Sequence, residues 1–190
     1  MLCWCFFSYN WQLFKCATMN DNAASSSNDS SIQELIQQLD SESGQERKNA
    51  RAALVQLGKE VIPSLVKHLS NPKRMTHWEI LKTIDEIKDP EAIPFLLEAL
   101  DEESGDLRWI ASVGLIHLGF QVAKPLLLSL TKKKELSVFV LAGSHHVFYE
   151  LNKKRKIPKD FPIKELLKAF RYPGRKGHLM VIVYKILEEL

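Results

Sequence analysis

Residues 39–58, LDSESGQERKNARAALVQLG, recur at 100–119 as LDEESGDLRWIASVGLIHLG, offset by 61 positions without a gap. Ten of the twenty positions are identical: Leu39/Leu100, Asp40/Asp101, Glu42/Glu103, Ser43/Ser104, Gly44/Gly105, Arg47/Arg108, Ala50/Ala111, Leu54/Leu115, Leu57/Leu118 and Gly58/Gly119. A chain that repeats at fixed spacing builds like units that cover one another's apolar faces, so it folds as a stack. The offset is close to twice a shorter period. Pro63, Pro94 and Pro125 stand 31 apart, and each opens an apolar run. A diverged copy lies between the matched segments: Ile80, Ile84 and Ile87 fall 30 residues after Ala50, Leu54 and Leu57 and 31 before Ala111, Leu115 and Leu118.

Each unit reads as helix A, turn, helix B. Ile62, Leu65, Val66 and Leu69 recur at i, i+3, i+4 and i+7, the stripe of an amphipathic helix. Pro63 falls in the first turn, where its missing N–H costs little. Helix B sets Ala50, Ala53, Leu54 and Leu57 on one face, with alanines small enough for close approach. Gly58 and Gly119 are placed as C-terminal stops, and Ser43-Gly44 and Ser104-Gly105 as breaks offering N-caps. A looser fourth copy spans 120–152, with Leu126, Leu127 and Leu130 in A and Phe139, Leu141, Val147, Phe148 and Leu151 in B. After the connector KKRKIPKDFP, 153–162, a fifth copy runs from Ile163–Phe170 as A to Leu179–Leu187 as B. The expected fold is all-α, an α-solenoid of about five helical hairpins with a period of about 31 over residues 32–190.

The acidic turn, then Arg, two residues, Ala, a terminal Leu-Gly and a following Pro, resembles the HEAT repeats, and among them the short variety named after the phycobilisome lyases. It stands here as Arg47…Ala50…Leu57-Gly58…Pro63 and Arg108…Ala111…Leu118-Gly119…Pro125. The resemblance covers about residues 31–190. It implies a scaffold whose B helices line a concave surface, and it leaves function open because unrelated proteins share the repeat. It also raises bilin attachment, with nothing specific in the residues to support it. HEAT-like hydroxylases bind a di-iron centre through His-Glu pairs, and no His here is followed by Glu.

Charge and cysteine usage narrow the setting. Residues 1–104 hold 10 Lys and Arg against 16 Asp and Glu, a net of −6; residues 105–190 hold 16 against 7, a net of +9. Cys3, Cys5 and Cys16 are the only cysteines, so neither a disulfide framework nor a cysteine nucleophile serves the repeats, and a reducing cytoplasm fits. The opening MLCWCFFSYNWQLF is apolar and aromatic but too short to span a bilayer, and it lacks the basic start and cleavage site of a secretory signal. Three readings fit residues 1–18: a start at Met19 instead, a membrane-surface anchor, or an extra helix capping the first repeat. Residues 19–31, MNDNAASSSNDSS, read as a disordered polar linker.

Catalytic patterns are missing. His68, His77, His117, His145, His146 and His178 form no metal-binding spacing, there is no glycine-rich phosphate loop, and no cofactor or catalytic residue is expected. The candidate binding residues lie on helix B. With Ala50 and Leu54 inward, Lys48 projects roughly 160° from Ala50. Its counterparts are Trp78 and Trp109, 31 apart. Trp and Arg are common interface anchors, so these two with Arg47, His77 and Arg108 make a candidate ridge for a protein partner. Val55 and Ile116 lie on the same side, so the alternative is that the tryptophans pack between repeats. Arg47 and Arg108 have a structural reading as well, pairing with an acidic turn.

A second candidate is a basic edge of Lys153, Lys154, Arg155, Lys156, Arg175 and Lys176, with Lys132–Lys134 and Arg171 nearby; the alternative is a solvated edge. A non-catalytic scaffold holding a protein on the concave face is the favoured function. Nucleic-acid binding comes second, by resemblance to HEAT-like alkylpurine DNA glycosylases, which hold duplex in a basic, Trp-lined cleft with a central acid; Asp85 lies on helix B near the same side as the tryptophans. Bilin-lyase-like activity is third. Membrane attachment is expected only through residues 1–16.

Overall fold

The computed structural model describes residues 25–69, 74–171 and 176–190. The segment 1–18 and residues 19–24 of the polar linker 19–31 lie outside the described residues. Ten α-helices follow one another among those described: α1 Ser25–Gln38, α2 Gly44–Leu57, α3 Ile62–His68, α4 Arg74–Ile87, α5 Ile93–Ala99, α6 Gly105–Leu118, α7 Ala123–Lys132, α8 Val138–Lys153, α9 Ile163–Phe170 and α10 Lys176–Glu189. No strand occurs among them. The linker reading needs correcting at its end, because α1 begins at Ser25. Ile36 of this first A helix and Leu39 just after it are buried in the core, and once that turn is nucleated each further residue adds a hydrogen bond cheaply.

The B helices α2, α4, α6 and α8 pack side by side in chain order, and α1, α3 and α5 pack on α2, α4 and α6 as their A partners. The core runs through the stack as one cluster, including Leu54, Ile84, Leu96, Leu115, Leu126 and Phe148. Pro63 and Pro94 sit at the starts of α3 and α5. Ser43, Ser104 and Ser137 each cap a B helix, accepting from the N–H of Glu46, Leu107 and Val140. At the other end the chain leaves three B helices through a positive φ: Gly58 at 73°, Lys88 at 57° and Gly119 at 81°. The two glycines have ψ of −148° and −155°, an extended mirror region that a side chain forbids, rather than the left-handed helical cap expected. Gly119 also divides an apolar stretch, Gly105–Lys132, that is long enough by composition to cross a bilayer. It makes two helices of it, and half of the most apolar window is buried within the stack.

Polar ties recur with the 61-residue offset. Asp40 accepts from the Thr76 hydroxyl at 2.8 Å, and Asp101 accepts from Ser137, so the acid of one A–B turn is bonded to the start of the next B helix. Asp101 is also paired with Lys133. Burial pushes its carboxyl up, but the Lys133 and Ser137 hydrogen bonds and the Lys133 charge outweigh that and hold it below the usual carboxylate value.

The fifth hairpin departs from the expected order. α9 packs on the B helix α8, and α10 packs on the A helix α7, so the two have exchanged sides. The connector explains it. Phe161 is buried edge-on against Phe120 at 5.1 Å between ring centroids and parallel to Phe148 at 6.0 Å. That anchor starts α9 against α8. α9 then runs back along α8, with Phe170 against Phe148 and His145.

Candidate functional site

The B-helix ladder brings the two tryptophans together. Trp78 of α4 and Trp109 of α6 lie parallel, with centroids 6.1 Å apart and planes 11° from coincidence. They differ in burial: Trp78 packs against the core, while Trp109 is 55% exposed. Lys48 is exposed at the corresponding place on α2. Sequence reasoning missed the next rung. Phe139 stands 61 residues after Trp78 and 30 after Trp109 and is partly exposed on α8. The Arg108 guanidinium lies 4.1 Å from its ring centroid, so an Arg bridges the rungs by a cation–π contact. The signal was present in the offset of 61, but Phe139 had been counted among the apolar residues of its helix.

The arginines are held from below. Arg47 donates to the carbonyls of Ser41 and Glu42 at 2.6 and 3.0 Å, and Arg108 does the same to Glu102 and Glu103 at 2.6 and 2.8 Å. Each guanidinium therefore ties its own A–B turn to the B helix that follows. Arg47 also pairs with Glu79 at 3.2 Å. Glu79 is buried on α4 and takes a second guanidinium, that of Arg51, at 2.5 Å, while Arg51 reaches Glu86 at 3.0 Å. This network of Arg47, Arg51, Glu79 and Glu86 locks α2 to α4. Its acids were not singled out in the sequence, because a buried acid on an otherwise apolar face is indistinguishable there from a surface one. His77 is half-buried beside Trp78, and its Nε2 has no hydrogen-bond partner. Asp85 is bonded to His117 Nδ1 at 2.6 Å, from α4 to α6.

The basic edge is only partly assembled. Lys153 pairs with Glu150 at 3.6 Å, and Lys156 turns back to the carbonyl of Ile116 at 3.3 Å. Lys154 and Arg155 are exposed. Arg175 and the side chain of Lys176 lie outside the described residues. Among the described residues no group of three or more His, Cys, Asp or Glu is arranged to hold a metal ion.

These features define an α-solenoid of helical hairpins with an aromatic ladder across its B helices. Residues 32–116 match the family model for HEAT repeats, in keeping with the repeat pattern of the chain. HEAT repeats are commonly protein-interaction scaffolds. The matched stretch contains Trp78 and Trp109 and ends at Ile116 in α6; the hairpins continue beyond it. No curated protein and no solved structure matches the chain.

Proposed function

We propose that this protein is a non-catalytic scaffold that holds a protein partner on the face of its B helices, with Lys48, Trp78, Trp109 and Phe139 in contact. The observation that supports this best is Trp109, a large apolar side chain more than half exposed and stacked in line with Trp78 on the preceding B helix, α4. An exposed Trp on a rigid helical row is pre-ordered, so a partner that covers it gains apolar burial at little entropic cost. Arg47 and Arg108 serve as struts under this face. Their hydrogen bonds to turn carbonyls leave them poorly disposed to take phosphates, which weighs against the nucleic-acid reading. The cysteine distribution favours a cytoplasmic setting.

The test is photo-crosslinking from the native cell, with a benzophenone amino acid placed at Lys48, at Trp109, and at Leu128 on α7 as a control. One protein captured from the first two positions and not from Leu128 supports the reading. Capture of nucleic acid, or the same capture from all three positions, refutes it.

A further inference from the structure

The exchanged fifth hairpin leaves a gap in the B row. α8 has 16 residues, and the helix laid along it, α9, has only 8. At about 1.5 Å per residue, α9 covers roughly half of its length. The consequence shows in a comparison at the offset of 61. Leu81 and Ile84 on α4 are each 1% exposed. Their counterparts on α8, Ala142 and His145, are exposed and half-buried, and Val138 beside them is 65% exposed. A cleft of about 290 Å³ occupies the vacated place, lined by Val138, Leu141, Ala142, His145, Phe170 and Arg171.

The lining has a chemistry. Its floor is aliphatic and aromatic. His145 lies edge-on to Phe170, and its Nε2 is buried without a hydrogen-bond partner. Burial, then the charges of Arg171 and His146, push the imidazole pKa below its ordinary value, which favours the neutral ring. Arg171 is exposed at the rim and is in no ion pair among the described residues. The charges felt by His145 come from cations. An apolar cleft with a cation at its lip and, among the described residues, no acid in its lining selects an apolar group that brings its own carboxylate. The volume is at the small end for a ligand site and suits one or two side chains. Val138 adjoins Phe139, so the cleft continues the aromatic ladder.

We infer that the cleft between α8 and α9 is an anchor site for a partner protein, taking a bulky aliphatic or aromatic side chain that has an Asp or Glu close by in sequence, with that carboxylate on Arg171. This rests on the reading that the B-helix face binds protein, and it adds which residue types the partner must offer.

The test uses the full chain as bait for a phage-displayed random peptide library, followed by fluorescence anisotropy on the peptides enriched. Variants are Ala142→Trp, which fills the cleft, Arg171→Glu and Arg171→Lys, with Trp109→Ala to report on the ladder. Ala142 and Arg171 are exposed, so these variants keep the fold, which circular dichroism checks. The expected result is enrichment of peptides with a bulky apolar residue within four positions of an acid. Their affinity should fall at least about tenfold with Ala142→Trp and with Arg171→Glu, and mostly survive Arg171→Lys, in line with the loss of a charge-assisted contact. The inference is overturned if no peptide is enriched, if the enriched peptides lack acids, or if both cleft variants bind within twofold of the parent. Peptides that respond to Trp109→Ala alone would sink the cleft and leave the ladder standing.

Discussion

Glu79 is the position where a single substitution should tell most about how the stack holds together. Its carboxylate is buried on α4 between Arg47 and Arg51 of α2, and the arginine side chains are themselves only 21% and 11% exposed. Replacing it with Val removes the acid and leaves two guanidinium groups in a place with little water. Breaking a buried pair in this way costs about 3–5 kcal/mol. Arg47 keeps its two turn carbonyls and Arg51 keeps Glu86, so the lower end applies, about 3 kcal/mol. For a chain of this size that is a fall in Tm of about 6–12 °C. Val is the informative replacement because the counterpart 61 residues later is Val140, buried on α8. The same fold thus accepts an apolar residue here where Ser112 replaces Arg51 and the remaining Arg108 is held by the carbonyls of Glu102 and Glu103. The double variant Arg51→Met, Glu79→Val should recover at least half of the loss, since a well-packed apolar contact can match an ion pair. Urea denaturation of the three chains, followed by circular dichroism, measures both effects. A loss below about 0.5 kcal/mol for Glu79→Val would refute the reasoning, because it would mean the arginines find water or other partners at no cost.

Other outcomes follow from single positions. Lys88 leaves α4 with φ at 57°, a conformation that costs a residue with a side chain about 1–2 kcal/mol, so Lys88→Gly should raise the urea midpoint. At Gly143 an added Cβ would lie 3.0 Å from Leu100 Cδ2; Gly143→Val should destabilise the contact of α8 with the end of α5 by about 1–3 kcal/mol, read by thermal denaturation. Asp101 is held below the ordinary carboxylate value of 3.8, so its contribution is present above that pH and is lost as pH falls through its lower folded value. Asp101→Asn should therefore lower Tm near neutral pH, and the gap to the parent should close as the solution is acidified. Trp109→Ala should leave Tm within about 2–4 °C of the parent, as expected for a half-exposed side chain, while removing crosslinking to a partner.

The period, the hairpin order up to α8, the serines capping α2 and α6 and most inward residues were readable from the chain, because they depend on local spacing and on a pattern that repeats; Leu57, placed on the inward face of α2, is instead 46% exposed at the end of that helix. The two tryptophans could be placed on one side for the same reason. Whether they face solvent could not. That depends on what long-range packing places over each ring, and it came out differently for Trp78 and Trp109 at equivalent positions. Glu79 was invisible as a buried acid because its partners lie 28 and 32 residues away on another helix. The exchange of α9 and α10 was beyond the pattern as well: both helices have the expected periodicity, and only the burial of Phe161 against Phe120 and Phe148 decides which side each takes. Local periodicity determined what the units are. Long-range packing of a few large side chains decided where the row of units ends, and with it the cleft on α8.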